Sequence, residues 1–206
     1  MLRIYIARHG QDEDNANGIL NGLRDKQLTD LGRKQAREMA EKIKNAGIKF
    51  NKIYTSPLIR TYQTAEIFTD ILGLTKPEKL DFLIERNFGI MTGQPHTKIL
   101  EMCMPNVITA PSGVNYFLSP EGAETFPEMM KRGRKLLDWL KTNHSEGNLL
   151  LVTHGDYGKL LYATYYKLDW KKVLVMFHFG NSDLLLLAPN SPADEVFVFK
   201  TEQYNL

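Results

Sequence analysis

The sequence predicts an α/β fold, a three-layer sandwich with a largely parallel central sheet. Three observations carry this. Short β-rich runs alternate with stretches of helical periodicity, the order of strand–helix–strand crossovers. The run from Asn148 to Thr153 is nearly all apolar, as a strand covered on both faces must be. Polar clusters stand directly after predicted strands, where open α/β sheets place their ligands.

Leu2 to Ala7 is the first strand, and it stops at Arg8-His9-Gly10. Asn15, Asn17, Gly18, Asn21 and Gly22 then crowd one loop. Thr29 reads as an N-cap, and behind it Ala36, Met39, Ala40 and Ile43 share one helical face, with Gly47 as the stop. Lys52 to Thr55 is the second strand. Ser56-Pro57 reads as the N-cap and first residue of a helix carrying Leu58, Ala65, Phe68 and Leu72, closed near Gly73. A third strand is expected over Leu80 to Ile84.

Phe126, Met129, Met130, Gly133, Leu136, Leu137 and Leu140 mark a long amphipathic helix. The buried strand Asn148–Thr153 follows, then a helix from about Tyr157 to Tyr166. Leu184–Leu187 and Val196–Phe199 are late strands separated by a turn at Asn190-Ser191-Pro192. The segment 94–122, rich in Pro, Met, Gly and Ser, fits no element and reads as a cap or lid inserted in a single domain spanning 1–206.

Composition narrows the function. With 206 residues, 43% of them hydrophobic, the chain can bury one good-sized core. A net charge of +2, with no basic run, argues against a nucleic-acid partner. One cysteine, Cys103, excludes a disulfide framework and a cysteine-based zinc site. No run of 18 apolar residues suggests a membrane span, and MLRIYIARHG is a poor signal peptide, so a cytoplasmic protein is expected. The sequence leaves the oligomeric state open.

The polar clusters suit an anionic tetrahedral ligand. They are Arg8-His9-Gly10, Glu85-Arg86 and His154-Gly155, joined by Arg60 in the first turns of a helix. Phosphoryl transfer needs in-line positioning and neutralisation of the equatorial oxygens. Arg8 and Arg60 can supply bidentate forks. A neutral His9 can attack phosphorus and carry the phosphoryl group. A protonated His154 would balance charge on the opposite side, and Glu85 could protonate the leaving oxygen. No metal or other cofactor is called for: there is no H-x-x-x-H pair, Asp cluster or P-loop lysine motif. Taken singly, Arg60 could be a solvated helix charge and Glu85 could merely pair with Arg86.

These residues also carry a resemblance. Arg8-His9-Gly10 with Asn15, Leu28-Thr29-Asp30-Leu31-Gly32 and Thr55-Ser56-Pro57-Leu58-Ile59-Arg60-Thr61 come first. Glu85-Arg86-Asn87-Phe88-Gly89 with Thr92-Gly93, Pro120 to Thr125, Val152-Thr153-His154-Gly155 and Asn181-Ser182 follow in order. Together they resemble the histidine phosphatase superfamily, in its phosphoglycerate-mutase-like branch, over nearly the whole chain. The resemblance implies that His9 accepts phosphate, that Arg8, Arg60 and His154 complete its pocket, and that Glu85 is the proton donor. It places Asn15 at the pocket edge, gives Gly22 a backbone contact, and lets Arg86 reach a second anionic group. As bland alternatives, Asn15 and Gly22 could be only loop formers. Two departures stand out: Asp12 where many members have Ser or Thr, and Asn21 where mutases often have Thr.

The expected function is a metal-independent phosphatase acting on small phosphate esters, sugar phosphates among them. The rivals are a cofactor-dependent phosphoglycerate mutase and an inactive phospho-ligand-binding module. His96, His144 and His178 read as structural, with His144 at a helix C-terminus where the dipole favours its charge. Cys103 reads as a small lid or core residue and the Met129-Met130 pair as core. Lys131, Arg132, Arg134 and Lys135 read as a solvated helix face.

Overall fold

The sheet is built outward from two parallel strands, β1 (Leu2–Arg8) and β6 (Gly147–Thr153), paired from Leu2↔Gly147 to Arg8↔Thr153. The structure is a computed structural model that describes residues 1–189, 197–201 and 203. β2 (Lys52–Thr55) adds in parallel to β6, and the two-residue β3 (Glu78–Lys79) adds in parallel to β2. On the other side β7 (Leu184–Leu187) pairs antiparallel with β1, and β8 (Phe197–Phe199) pairs antiparallel with β7. Among the described residues the order is β3-β2-β6-β1-β7-β8.

Alternation along β1 and β6 sends side chains into two cores. Ile4, Ile6, Leu149 and Leu151 pack with α5 (Phe126–Asn143), α6 (Gly155–Tyr166) and α7 (Trp170–Met176). Tyr5, Ala7, Leu150 and Val152 pack with α2 (Asp30–Asn45) and α3 (Ile59–Leu72). Helices therefore cover both faces, which is why both central strands are apolar throughout their buried length. Thr29 caps α2 by accepting from the Gly32 amide, and Gly47, at φ 68°, ends the turn after it. α5 opens with a reciprocal capping box between Thr125 and Glu128. No helix among the described residues is long and apolar enough to cross a membrane.

Several expectations change. The third strand is only Glu78–Lys79, and Asp81–Leu83 forms a 3-10 turn where a strand over Leu80 to Ile84 was expected. Its apolar residues face α5 and β6 as a plug, a burial that alternation cannot distinguish from a strand. Ser56-Pro57 does not cap α3, whose N-cap is Leu58 with no side-chain bond. The short helices α1 (Glu13–Ala16) and α7 went unread. The turn expected at Asn190-Ser191-Pro192, and Val196, lie outside the described residues.

The 94–122 segment holds structure of its own. A 3-10 turn at His96–Lys98 leads into α4 (Ile99–Cys103) and an antiparallel hairpin of β4 (Val107–Thr109) and β5 (Asn115–Phe117). Ile99, Cys103 and Phe117 form a small core with Leu20, Phe88 and Met91. Proline and glycine hide these elements from periodicity because each is only three to five residues long.

One close approach fixes the loop after β1. A Cβ on Gly32 would lie 2.0 Å from the Gln11 carbonyl oxygen, and one on Gly10 would lie 2.2 Å from that of Gly32. Backbone meets backbone, so neither side can yield by a rotamer change. Gly32→Ala is expected to cost about 2 kcal/mol, the scale of overpacking, and to lower Tm by roughly 4–8 °C for a domain of this size. Calorimetry decides it: an unchanged Tm would mean that the loop has slack.

Candidate active site

The register of the central strands sets the site. Arg8 lies opposite Thr153, so His9 and His154 leave the sheet side by side, their rings 5.2 Å apart at 63°. The His9 amide donates to the Thr153 carbonyl at 3.0 Å, continuing the ladder one step beyond the strand.

His9 is buried, and its Nδ1 lies 2.7 Å from the Gly10 carbonyl oxygen. A carbonyl can only accept, so Nδ1 carries the proton and Nε2 presents a lone pair. Arg60 Nε donates to that Nε2 at 3.3 Å. Burial first, then the positive charges of Arg60 and Arg8, hold the imidazole well below its ordinary pKa. Both effects favour the neutral ring.

Arg60, on the first turn of α3, is fully buried. Its remaining nitrogens donate to the Arg24 carbonyl at 2.6 Å and the Gly22 carbonyl at 2.8 Å. Gly22, at φ 50°, thus contributes its backbone by aiming Arg60. Arg8 donates through Nη1 to the Phe179 carbonyl at 2.8 Å, while its buried Nε has no partner among the described residues. His154 Nδ1 is likewise buried and unpartnered among them, and its Nε2 lies 2.9 Å from Ser56 Oγ. Buried polar atoms are nearly always paired, so these two are suited to a bound acceptor. Burial, then Arg60, His9 and Arg8, holds His154 well below its ordinary pKa. Burial and those charges disfavour the His154 cation, and an incoming anion would favour it.

Asn15 is placed through Asn181, whose Nδ2 lies 3.1 Å from both the His9 carbonyl oxygen and Asn15 Oδ1. Ser56 is a member that sequence reading took for a helix cap, and Asp12, singled out only as a departure from the family pattern, also lies here. Ser56 stands just past β2 beside β6, its amide bonded to the Val152 carbonyl at 3.1 Å, so its hydroxyl meets His154 instead of capping α3. Asp12 is fully buried, with Oδ2 3.3 Å from Arg60 Nε. The signal available for Asp12 was a charged residue three positions from the histidine.

Glu85 caps α6 from outside. Its Oε1 accepts from the Tyr157 amide at 3.2 Å and from the Arg86 amide at 2.8 Å. Burial, then the neighbouring Asp156 carboxyl, pushes its pKa up to about 7. With Oε1 occupied as an acceptor, Oε2 is the atom suited to carry the proton.

Arg86 does not sit as expected. Each guanidinium nitrogen donates to a carbonyl: Glu124 at 2.7 Å, Phe117 at 2.8 Å and Leu118 at 3.0 Å. It is fully buried between the Phe117 and Phe126 rings, 4.7 and 4.1 Å away. That geometry makes it a strut holding the hairpin to the body, in place of a contact to a second anionic group. Arg132 is a second correction. It bonds Glu124 at 2.7 and 3.0 Å and the carbonyls of Ile84 and Phe82 at 2.7 and 3.0 Å, so it braces the chain before Glu85 instead of facing solvent. Among the described residues no group of three His, Cys, Asp or Glu side chains could hold a metal ion.

Glu85 also links stability to pH. Its pKa in the fold lies above its ordinary 4.5, so the fold favours the acid form; that stabilisation is full below 4.5 and is lost as pH rises through 7. In carboxyl-labelled NMR, Glu85 is expected to titrate near 7 in the native protein. Asp156→Asn should move the midpoint down, because ionisation no longer adds a charge beside another. An unmoved midpoint would remove Asp156 as a cause.

A family profile described as histidine phosphatase superfamily (branch 1) matches residues 4–192. A Hydrogenobacter thermophilus protein named "Putative phosphoserine phosphatase 2" is 36% identical over 160 residues, 75% of this chain and 74% of its own length. "Probable phosphoglycerate mutase GpmB" of Yersinia pestis is 33% identical over 158 residues, 75% of this chain and 70% of its own. The solved structure of a mycobacterial glucosyl-3-phosphoglycerate phosphatase with VO3 superposes with a TM-score of 0.78 at 27% identity, covering 90% of this chain and 92% of that one. The chain belongs to branch 1 of the histidine phosphatase superfamily.

Proposed function

We propose that the protein is a phosphatase that hydrolyses small phosphorylated metabolites, sugar phosphates among them, through a phosphohistidine on His9. The observation that carries this is the neutral His9, its Nδ1 proton fixed on Gly10 and its Nε2 lone pair beside Arg60. In the first step Nε2 bonds to phosphorus, the bond from phosphorus to the leaving oxygen breaks, and Glu85 gives that oxygen its proton. In the second, Glu85 takes a proton from water, whose oxygen attacks phosphorus and releases phosphate and free His9. Arg8, Arg60 and His154 hold the equatorial oxygens, with Asn15 and Gly22 at the rim. Side-chain cations supply the charge that a metal supplies in other phosphoryl transferases.

The similarity to a protein named for phosphoglycerate mutase favours a second reading, isomerisation with the phosphoryl group returned to substrate. That reaction needs water kept from the phosphoenzyme. We take the 94–122 segment to be a lid that covers the pocket, too small to seal it. Supplying 3-phosphoglycerate with 2,3-bisphosphoglycerate separates the readings: isomerisation faster than phosphate release by orders of magnitude would favour the mutase.

His9→Ala is expected to lose turnover, by at least about a thousandfold, because no other group in the set can act as nucleophile. Rapid quench should trap phosphohistidine in the native protein and none in the variant, with and without EDTA. Residual turnover near the native rate would end the mechanism.

Glu85→Gln keeps the acceptor for the Tyr157 and Arg86 amides but cannot donate as an acid. It should slow a sugar phosphate far more than p-nitrophenyl phosphate, whose leaving group needs no proton. Equal losses on both would assign Glu85 to structure alone.

A further inference from the structure

Asp12 places a carboxyl group inside an anion pocket. It is fully buried, and its Oδ1 accepts from the Asn15 amide at 2.7 Å. Oδ2 accepts from Asn21 Nδ2 at 2.7 Å and lies 3.3 Å from Arg60 Nε. The same Nε lies 3.3 Å from His9 Nε2. Arg60 Nε is therefore shared by the nucleophile and a carboxylate. Arg8 at the end of β1, Arg60 from α3, and the Asn15 amide and Asn21 side chain from the loop are the groups that act on Asp12.

A phosphoryl group on His9 must reach Arg60 at that shared edge. Its oxygens then come against Asp12 Oδ2. Two anionic oxygens in contact cannot both stay unprotonated, the constraint that makes paired carboxyls share a proton. The Arg60 charge and two hydrogen bonds favour ionised Asp12 in the free pocket. A bound dianion occupies Arg60 and reverses that preference. Burial already pushes the Asp12 carboxyl above its ordinary range, against the pull of Arg60.

Resting on the phosphatase reading, we infer that Asp12 is a proton-carrying member of the phosphate pocket. It binds the phosphoryl group as a neutral acid, with its Oδ2 proton donated to a phosphoryl oxygen, and as a carboxylate it takes Arg60 back and expels inorganic phosphate. Oδ2 still accepts from Asn21 in the acid form. One proton enters with the anion and leaves with it. The residue thus couples phosphate affinity to pH at a position where an uncharged side chain would let product linger.

Sulfate is the probe, because it stays a dianion across the working range and adds no titration of its own. Calorimetry in two buffers of different ionisation heat measures proton uptake on binding to the native protein, Asp12→Asn and Asp12→Ser. Both substitutions keep an acceptor for the Asn15 amide, and thermal unfolding confirms the fold of each. At pH 8 the native protein should take up about one proton more than either variant, and both variants should bind sulfate at least about tenfold more tightly. That gap should narrow as pH falls into the range where free Asp12 itself takes up a proton. Equal uptake in all three proteins, or a gap independent of pH, would overturn the inference while leaving the phosphatase reading intact. Absence of sulfate binding in all three would bring down the pocket and this inference together. A phosphohistidine that fails to form despite normal sulfate binding would instead count against the phosphatase reading alone.

Discussion

The parallel pairing of β1 with β6 is the contact on which the site depends. Arg8 sits opposite Thr153, so the next residue on each strand is a histidine, and the two rings meet at the carboxyl edge of the sheet. A one-residue slip would send every side chain of β1 to the other face. It would also part the histidines. The apolar alternation that fills both cores thus excludes the one-residue slip that would part the histidines.

Around that pair the fold buries charge at considerable cost, and it does so with backbone. Arg60 is held by the carbonyls of Gly22 and Arg24, Arg8 by that of Phe179, and Arg86 by those of Phe117, Leu118 and Glu124. Carbonyl dipoles orient each guanidinium, while Asp12 beside Arg60 and Asp156 beside Arg86 offset only part of the charge. The pocket keeps its positive field while the side chains lose their freedom to reorganise, which is the preorganisation that electrostatic catalysis relies on. The same field keeps His9 and His154 neutral, because a further positive charge would be both desolvated and repelled.

Arg86 and Arg132 tie the chain around Glu85 to its neighbours. Arg132 takes the carbonyls of Phe82 and Ile84 just before it, and Arg86 takes the hairpin just after it. Glu85 itself accepts from the first turn of α6, whose N-cap is His154. A residue from a distant part of the chain is thus locked to the helix that grows out of β6. The raised pKa of Glu85 follows from that locking, since the group can neither swing to water nor leave Asp156.

By itself the sequence determined the α/β class, the largely parallel sheet and its buried strands, and it singled out Arg8, His9, Arg60, Glu85 and His154 as candidates. Strand periodicity and the residue type at a strand end are local properties, and local properties are written in consecutive residues. The tertiary structure alone decided the rest. The strand expected at Leu80–Ile84 became a plug because α5 and β6 cover it, and α7 was too short to show a period. Ser56 turned from cap to partner of His154 through its place beside β6. Arg86 and Arg132 became struts because carbonyls from elsewhere in the chain converge on them. Asp12 entered the pocket because α3 delivers Arg60 to it. The charge state of each of these groups depends on which dipoles and charges surround it after folding, and a sequence orders residues along a chain without stating what will lie within a few ångströms of them.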